Sequence, residues 1–290
     1  MKNLCTVSDI NYLIKGLTLY ESLLKNTSSF KLNYLCIDDE CYNKIIPFQN
    51  ESLKIYNVND FINFDKKLEK LKNDDYKYFC WALASYFMNY LMTQLNEPIS
   101  YIDSDIYFYH SFNEVLNEIK TEEIILFRHR QFNLDINRPE GKFNVGVIHF
   151  NNTFFGKKAL SWWSDSVLNK TYPHLATCGD QKYLDELLNI CPEETILIDG
   201  NIGHGAPWHW QLYDLSSFHE DGYIKWDNKK QKLIFTHFSQ FTIINDGNYI
   251  PSTMHHIYTP INEYHNNKNL KLIYDNYFKE LNKTKQKYYG

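Results

Sequence analysis

Tyr101 to Tyr107, reading Tyr-Ile-Asp-Ser-Asp-Ile-Tyr, constrains this chain more than any other stretch. An apolar run ends there in two aspartates one residue apart, where a buried strand would surface into a loop. Side chains at i and i+2 on a strand share a face, and at the strand's end both carboxylates are free to turn toward one point. Hard divalent cations such as Mg²⁺ and Mn²⁺ take oxygen ligands of that kind and fill their remaining positions with water and phosphate. Pairs of this type also serve as helix caps or solvated turn residues. By itself the pattern leaves both readings open.

The chain is long enough, at 290 residues, to bury a sizeable core. Its net charge of −5 argues against a nucleic-acid partner, which calls for a basic stripe. The 23 Tyr and 19 Phe suit sugar and nucleobase contacts and equally suit a core. Six scattered cysteines form no C-x-x-C pair, the pattern of buried reduced thiols in a cytoplasmic protein. Met1 to Val7 leads straight into a strand pattern rather than a signal peptide. Phe79 to Met92, the most apolar stretch, is too short to span a bilayer and is interrupted by Asn89. A soluble, cytoplasmic protein is expected.

Strand patterns at Leu4–Val7, Tyr34–Ile37, Ile99–Ile102, Glu123–Phe127, Asn144–Phe150, Thr195–Ile198 and Leu233–Thr236 alternate with helical spacing. Helices are expected over Asn11–Leu24, Asp75–Leu95, after Ser111, over Phe155–Leu168 and over Asp180–Asn189. That alternation predicts an α/β domain with a mixed, mostly parallel sheet flanked by helices. Ligands of such sheets gather outside the carboxyl ends of the strands, and both Ser8-Asp9 and Asp103-Ser104-Asp105 fall on that edge. A single large domain is expected over 1–260, followed by a basic amphipathic helical tail over 261–290. From Lys268 on, six lysines face two carboxylates, and Leu270, Ile273, Tyr274, Tyr277, Phe278 and Leu281 make an apolar side. Such a helix docks on its own domain or makes peripheral contact with an anionic membrane.

Thr6-Val7-Ser8-Asp9-Ile10-Asn11-Tyr12-Leu13, with Gly16 to Leu23 behind it, resembles the opening of GT-A-fold glycosyltransferases of the family-8 type. Phe143-Asn144-Val145-Gly146-Val147 resembles the Phe-Asn-x-Gly strand of those enzymes. Gly141 to Gly146, Trp162-Trp163, Gly179 to Asp185, Ala206-Pro207-Trp208 and His237-Phe238 together resemble bacterial nucleotide-diphospho-sugar transferases, in order and spacing, over roughly residues 1 to 245. Two departures stand out: His209 where relatives carry Asn, and the Gly203-His204-Gly205 approach to that motif.

The resemblance implies a Rossmann-like GT-A domain that moves a sugar from a nucleotide-diphospho-sugar, most simply a UDP-sugar, to a glycan or lipid-linked acceptor. A role in bacterial surface polysaccharide synthesis is the implied setting. It implies Asp103, Asp105 and His237 around Mn²⁺ or Mg²⁺, one aspartate direct and one partly through ribose or water. It places Thr6, Asp9 and Tyr12 around the base and Ser104 beside the donor. Arg128 and Arg130 become candidates for phosphate or sugar contacts, given guanidinium's match to phosphate. Asn144 and Gly146 lie beside the donor sugar, and Trp208 and His209 on the acceptor side. Asp180 and Gln181 stand at the transfer centre. Asp180 acts as general base if the reaction inverts, or orients the donor if it retains configuration, the outcome the family-8 features favour. A sugar nucleotidyltransferase would need a Gly-rich basic loop, and Ser8 to Ile14 holds neither glycine nor arginine. A degenerate sugar- or nucleotide-binding relative and a nucleotide-sugar hydrolase stay open.

Overall fold

The computed structural model describes residues 1–130, 139–245, 247–253, 264 and 266–290. The domain boundary expected at 260/261 lies outside the described residues. Eleven strands carry the argument: β1 (Lys2–Ser8), β2 (Phe30–Cys36), β3 (Leu53–Asn57), β4 (Ile99–Ile102), β5 (Ile106–Phe108), β6 (Ile124–Arg128), β7 (Phe143–Phe150), β8 (Ile196–Ile198), β9 (Gly203–Gly205), β10 (Tyr223–Trp226) and β11 (Lys229–His237).

A seven-stranded sheet runs in the order β3-β2-β1-β4-β7-β6-β8. Its strands pair in parallel except at β7, which is antiparallel to both β4 and β6. The expected mixed, mostly parallel sheet is therefore present. β1 turns out to β2 through helix α1 (Leu13–Asn26), whereas β4 lies on its other side, so the order reverses between β1 and β4. Reversal points of this kind open a crevice at the carboxyl edge of the sheet. β1 and β4 are parallel, with Asn3 opposite Ile99, so Ser8-Asp9 and Asp103 leave the sheet at that same edge.

Burial follows the sequence pattern. β4 is buried along its whole length, as befits a central strand covered on both faces. One core cluster packs the long helix Tyr76–Leu95 and the helix Phe154–Leu168 against one face, through Phe79, Leu83, Phe87, Leu160 and Trp163. A second packs α1 on the other face through Leu17, Leu19 and Leu23. Asp75 caps the long helix, its carboxylate accepting from Tyr78 N at 3.1 Å.

A smaller sheet of β10-β11-β5, with β9 beside β11, was not anticipated as a unit. β9 sits inside what reads as a Gly/His/Trp loop; three residues are too few for a periodic signal. The stretch after Asp180 is also different from expectation: a 3₁₀ turn over Gln181–Glu186 and a single helical turn over Leu187–Ile190. Gln181 and Asp185 both bond back to the segment entering β7, to Asn144 and to Lys142 N, and the turn follows those anchors.

The C-terminal helix Lys268–Tyr289 docks on its own domain. Leu270, Ile273, Tyr274, Tyr277 and Leu281 are buried in a third cluster with Tyr107, Trp210 and Phe238. Tyr277 stacks on Phe238 with ring centroids 3.7 Å apart. Most of its apolar side is thus covered, while its lysines and Tyr289 face solvent. No helix among the described residues is long and apolar enough to cross a membrane.

Candidate functional site

The two sheets meet at the Asp-x-Asp turn. Asp103 N donates to Gly146 O at 2.8 Å, tying the end of β4 to β7. The chain then enters β5, which pairs with the end of β11 so that Ile106 faces His237. Phe238 N donates to Asp105 O at 2.9 Å and closes the join. Register alone therefore brings His237 to Asp105 across 132 residues of sequence.

His237 Nε2 lies 3.1 Å from Asp105 Oδ1 and 3.6 Å from Asp103 Oδ2. One ligand atom from each of the three residues falls within 4.8 Å of the others, so this group could hold a metal ion. The oxygen-rich donor set with one imidazole suits Mn²⁺ or Mg²⁺. Asn144 Oδ1 accepts from Gly146 N at 2.8 Å, and the same oxygen lies 3.1 Å from His237 Nδ1. An oxygen already accepting an amide proton asks Nδ1 to be a donor, which turns Nε2 toward the carboxylates. Gly146 makes this approach feasible. A Cβ there would sit 2.5 Å from Asn144 Oδ1 and 2.7 Å from His237 Nδ1.

The two aspartates are not equivalent. Burial works to raise the Asp105 carboxyl, but the His237 charge and hydrogen bond outweigh it and hold Asp105 below the usual carboxylate range. Burial raises Asp103, and the Asp105 charge adds to that, beyond what His237 offsets. Burial would lower His237, but the charge of Asp105 and its hydrogen bond raise it. Tyr101 donates its phenol to Asp103 Oδ1 at 2.8 Å.

A cleft of about 590 Å³ opens over this group. Asp9, Tyr12 and Ser104 line it on the side of β1, and Asn144, Asp180, Gln181 and Trp208 on the other. Asp9 Oδ1 accepts from Tyr12 N at 2.9 Å, which fixes the turn into α1. Asn144 Nδ2 donates to Gln181 Oε1 at 2.9 Å. Asp180 is 5% exposed, and its Oδ2 is buried without a hydrogen-bond partner. Burial, with the Asp103 charge added, pushes the Asp180 carboxyl well above its ordinary range. Trp208 packs edge-on against His237, ring centroids 5.5 Å apart. Thr6 is fully buried one layer below, its hydroxyl unpartnered, rather than on the cleft wall.

Besides Thr6, three sequence candidates sit away from the cleft wall. Arg130 is a correction: its side chain is fully buried and its guanidinium is used up on Asp199, Tyr213, Gln231 and the Ile202 carbonyl. It also lies 4.0 Å over the Trp226 ring. Arg128 pairs with the same Asp199 at 2.9 Å and does not line the cleft. An arginine after a strand looks the same in sequence whether it meets phosphate or a buried aspartate. His209 is the third correction. It is 2% exposed, packed among His204, Tyr213 and Trp208, behind the cleft rather than in it.

The sequence also gave no sign of Lys77, Cys80 and Trp81, which bring the start of the long helix into the cleft wall. Helical spacing puts Trp81 on the apolar side, and it does pack inward, against Gly179. Gly179 has φ +65°, and a Cβ on it would come within 2.5 Å of the Trp81 ring.

No family model matches the chain. The chain is similar to two uncharacterized proteins of Bacillus subtilis (strain 168). YfnF is 25% identical over 255 residues, 83% of this chain and 82% of YfnF. YfnD is 24% identical over 256 residues, 83% of this chain and 78% of YfnD. Among solved structures, the galactosyltransferase LgtC in complex with donor and acceptor sugar analogs aligns with TM-score 0.52 at 13% identity, covering 81% of this chain and 86% of that one. Mouse xyloside xylosyltransferase 1, apo form, aligns with TM-score 0.50 at 15% identity, covering 81% and 97%. The chain has the α/β architecture of these glycosyltransferases, the GT-A fold.

Proposed function

We propose that this protein is a metal-dependent glycosyltransferase of the family-8-like type. It moves a sugar from a nucleotide-diphospho-sugar, most simply a UDP-sugar, to a glycan or lipid-linked acceptor, in bacterial surface polysaccharide synthesis. One observation carries the reading: Asp103, Asp105 and His237 converge at the reversal point of a GT-A sheet, in the lining of a cleft of about 590 Å³.

Asp103, Asp105 and His237 would hold Mn²⁺ or Mg²⁺, which when bound neutralises charge on the donor's diphosphate. Tyr12 presents its ring to the base, and Asp9 fixes that ring's place by holding Tyr12 N. Asn144 orients His237, and Gly146 keeps the floor open for it. In the transfer, the bond from the sugar's anomeric carbon to the diphosphate oxygen breaks and one to the acceptor oxygen forms. The acceptor's proton ends on the released diphosphate. Asp180, whose carboxyl burial and the Asp103 charge push well above its ordinary range, orients the donor sugar. That role suits retention of configuration. Gln181, tied to Asn144, sets the depth of the sugar, and Trp208 offers an apolar platform to the acceptor.

Thermal-shift titration with UDP-, GDP- and CMP-linked sugars, each with Mn²⁺ and with EDTA, tests the donor site. A Mn²⁺-dependent rise in Tm for one nucleotide class, lost in Asp105→Ala, is the expected result. No shift with any donor in either condition would sink the proposal. Product analysis with an added acceptor then separates transfer from hydrolysis.

A further inference from the structure

Lys15 is placed against three separate physical preferences. It stands in the first turn of α1, where the helix dipole disfavours a cation and where no acidic residue offsets it. It is 7% exposed. Among the described residues its ammonium makes no hydrogen bond and no ion pair; it rests on the ring of Tyr12, 4.0 Å from the centroid. A buried, unpaired charge is costly to keep. Asp105 is already engaged by His237 at 3.1 Å, so Lys15 is not its counter-ion in the fold.

The surroundings indicate what would offset that cost. Tyr12, at the N-cap of α1, lines the cleft together with Asp9 and Asp105, and Lys15 does not line it but stands behind the Tyr12 ring. Burial lowers the Lys15 ammonium's pKa, while the fields of Asp105 and Asp9 support its charge. The carboxylate-rich floor needs positive charge besides a metal ion if a dianionic group is to enter.

We propose that Lys15 is a phosphate-directed cation of the donor site, holding positive potential behind Tyr12 for the diphosphate of a nucleotide-sugar. The inference rests on the donor-site reading above and extends it to a residue outside the metal group. It makes Lys15 a binding residue that selects for phosphates, not for the base.

Calorimetric titration of full-length wild type, Lys15→Met and Lys15→Gln with UDP, uridine and Mn²⁺ alone tests it. Both variants should weaken UDP binding in Mn²⁺ by on the order of tenfold to a hundredfold, the range of a charged contact. Uridine should bind all three proteins within about twofold, and Mn²⁺ alone should bind the variants no more weakly than wild type. Lys15→Met should melt no lower than wild type, because an unpaired buried charge is gone. Equal weakening of uridine and UDP would overturn the proposal and make Lys15 a prop for Tyr12. Unchanged UDP binding in both variants would overturn it as well. Wild type that binds neither UDP nor a UDP-sugar would sink the donor-site reading itself, and this proposal with it.

Discussion

Among the described residues, the buried polar groups around Asp199 and those under the cleft are built in different ways. Around Asp199, Arg128 and Arg130 fill both carboxylate oxygens, and Arg130's remaining donors reach Tyr213, Gln231 and Ile202 O. Burial alone would raise Asp199; the His204 ring 3.5 Å away and the Arg130 charge outweigh it and hold the carboxyl far below its ordinary range. Under the cleft, by contrast, Asp180 Oδ2 and Thr6 Oγ1 are buried without partners, the Lys15 ammonium rests on the Tyr12 ring with no hydrogen bond or ion pair among the described residues, and Asp103 and Asp105 crowd one histidine. The Asp199 carboxylate, with both oxygens filled, joins parts of the fold, although the His204 and His209 rings beside it keep buried nitrogens without hydrogen-bond partners. The carboxylates under the cleft are short of donors, which costs stability in the empty protein and suits something that comes and goes.

The largest effect expected from breaking this contrast is on the open side. Asp105→Ala should lower sugar transfer by about a thousandfold or more, the scale of a lost metal-ion contribution. Its Tm in EDTA should fall as well, since His237 loses the carboxylate that pairs with it. An assay of initial rates beside a melting curve checks both halves. On the saturated side the pattern inverts. Asp199→Asn strands Arg130 in the interior and should cost about 3–5 kcal/mol of stability, read as a clear fall in the urea midpoint. UDP affinity of the folded protein should hardly move.

A second saturated group lets pH sharpen the comparison. His149 bridges β4 and β7, Nδ1 2.8 Å from Ser100 Oγ and Nε2 3.0 Å from Asn151 Oδ1. Burial pushes its imidazole down to about 4. Because the folded value lies below the unfolded one, the unfolded chain binds the extra proton first as pH falls. The stabilisation is therefore complete above about pH 6.5 and lost toward pH 4. His149→Gln cannot take that proton, so its stability relative to wild type should rise across this window, by up to roughly 3 kcal/mol. Urea melts at pH 7 and pH 4.5 would show it, and parallel curves would refute it. The smallest effect is geometric. Gly146→Ala forces a methyl between Asn144 and His237 and should weaken Mn²⁺ binding about tenfold while the protein stays folded.

How much of this was legible in sequence follows from how far each signal reaches. Six strands of the seven-stranded sheet and its carboxyl-edge crevice follow from local periodicity, whereas β3 was not among the expected strands and the expected strand at Leu233–Thr236 belongs to the smaller sheet. The proximity of Asp103, Asp105 and Asn144 to His237 is invisible to periodicity, because it depends on β5 pairing with β11; only the family resemblance joined them. The same resemblance could not sort arginines. Arg128 and Arg130 owe their place to Asp199, 69 and more residues away, and no local pattern reports that partner. His209 likewise follows Trp208 in sequence but turns behind the cleft wall. Lys15 reads as an ordinary helical lysine until its burial and its lack of a partner are seen. Trp81 reads as core, and is core, while also lining the cleft.

The central claim is that the open cluster is a metal-and-diphosphate site. Crystals grown with Mn²⁺ and UDP, with data collected at the manganese absorption edge, test it most directly. The account predicts one strong anomalous peak within coordination distance of Asp103, Asp105 and His237, with the uridine ring beside Tyr12 and the phosphates between that ring and the peak. Ordered UDP without a manganese peak at those three residues, or a peak bound elsewhere on the chain, would contradict it.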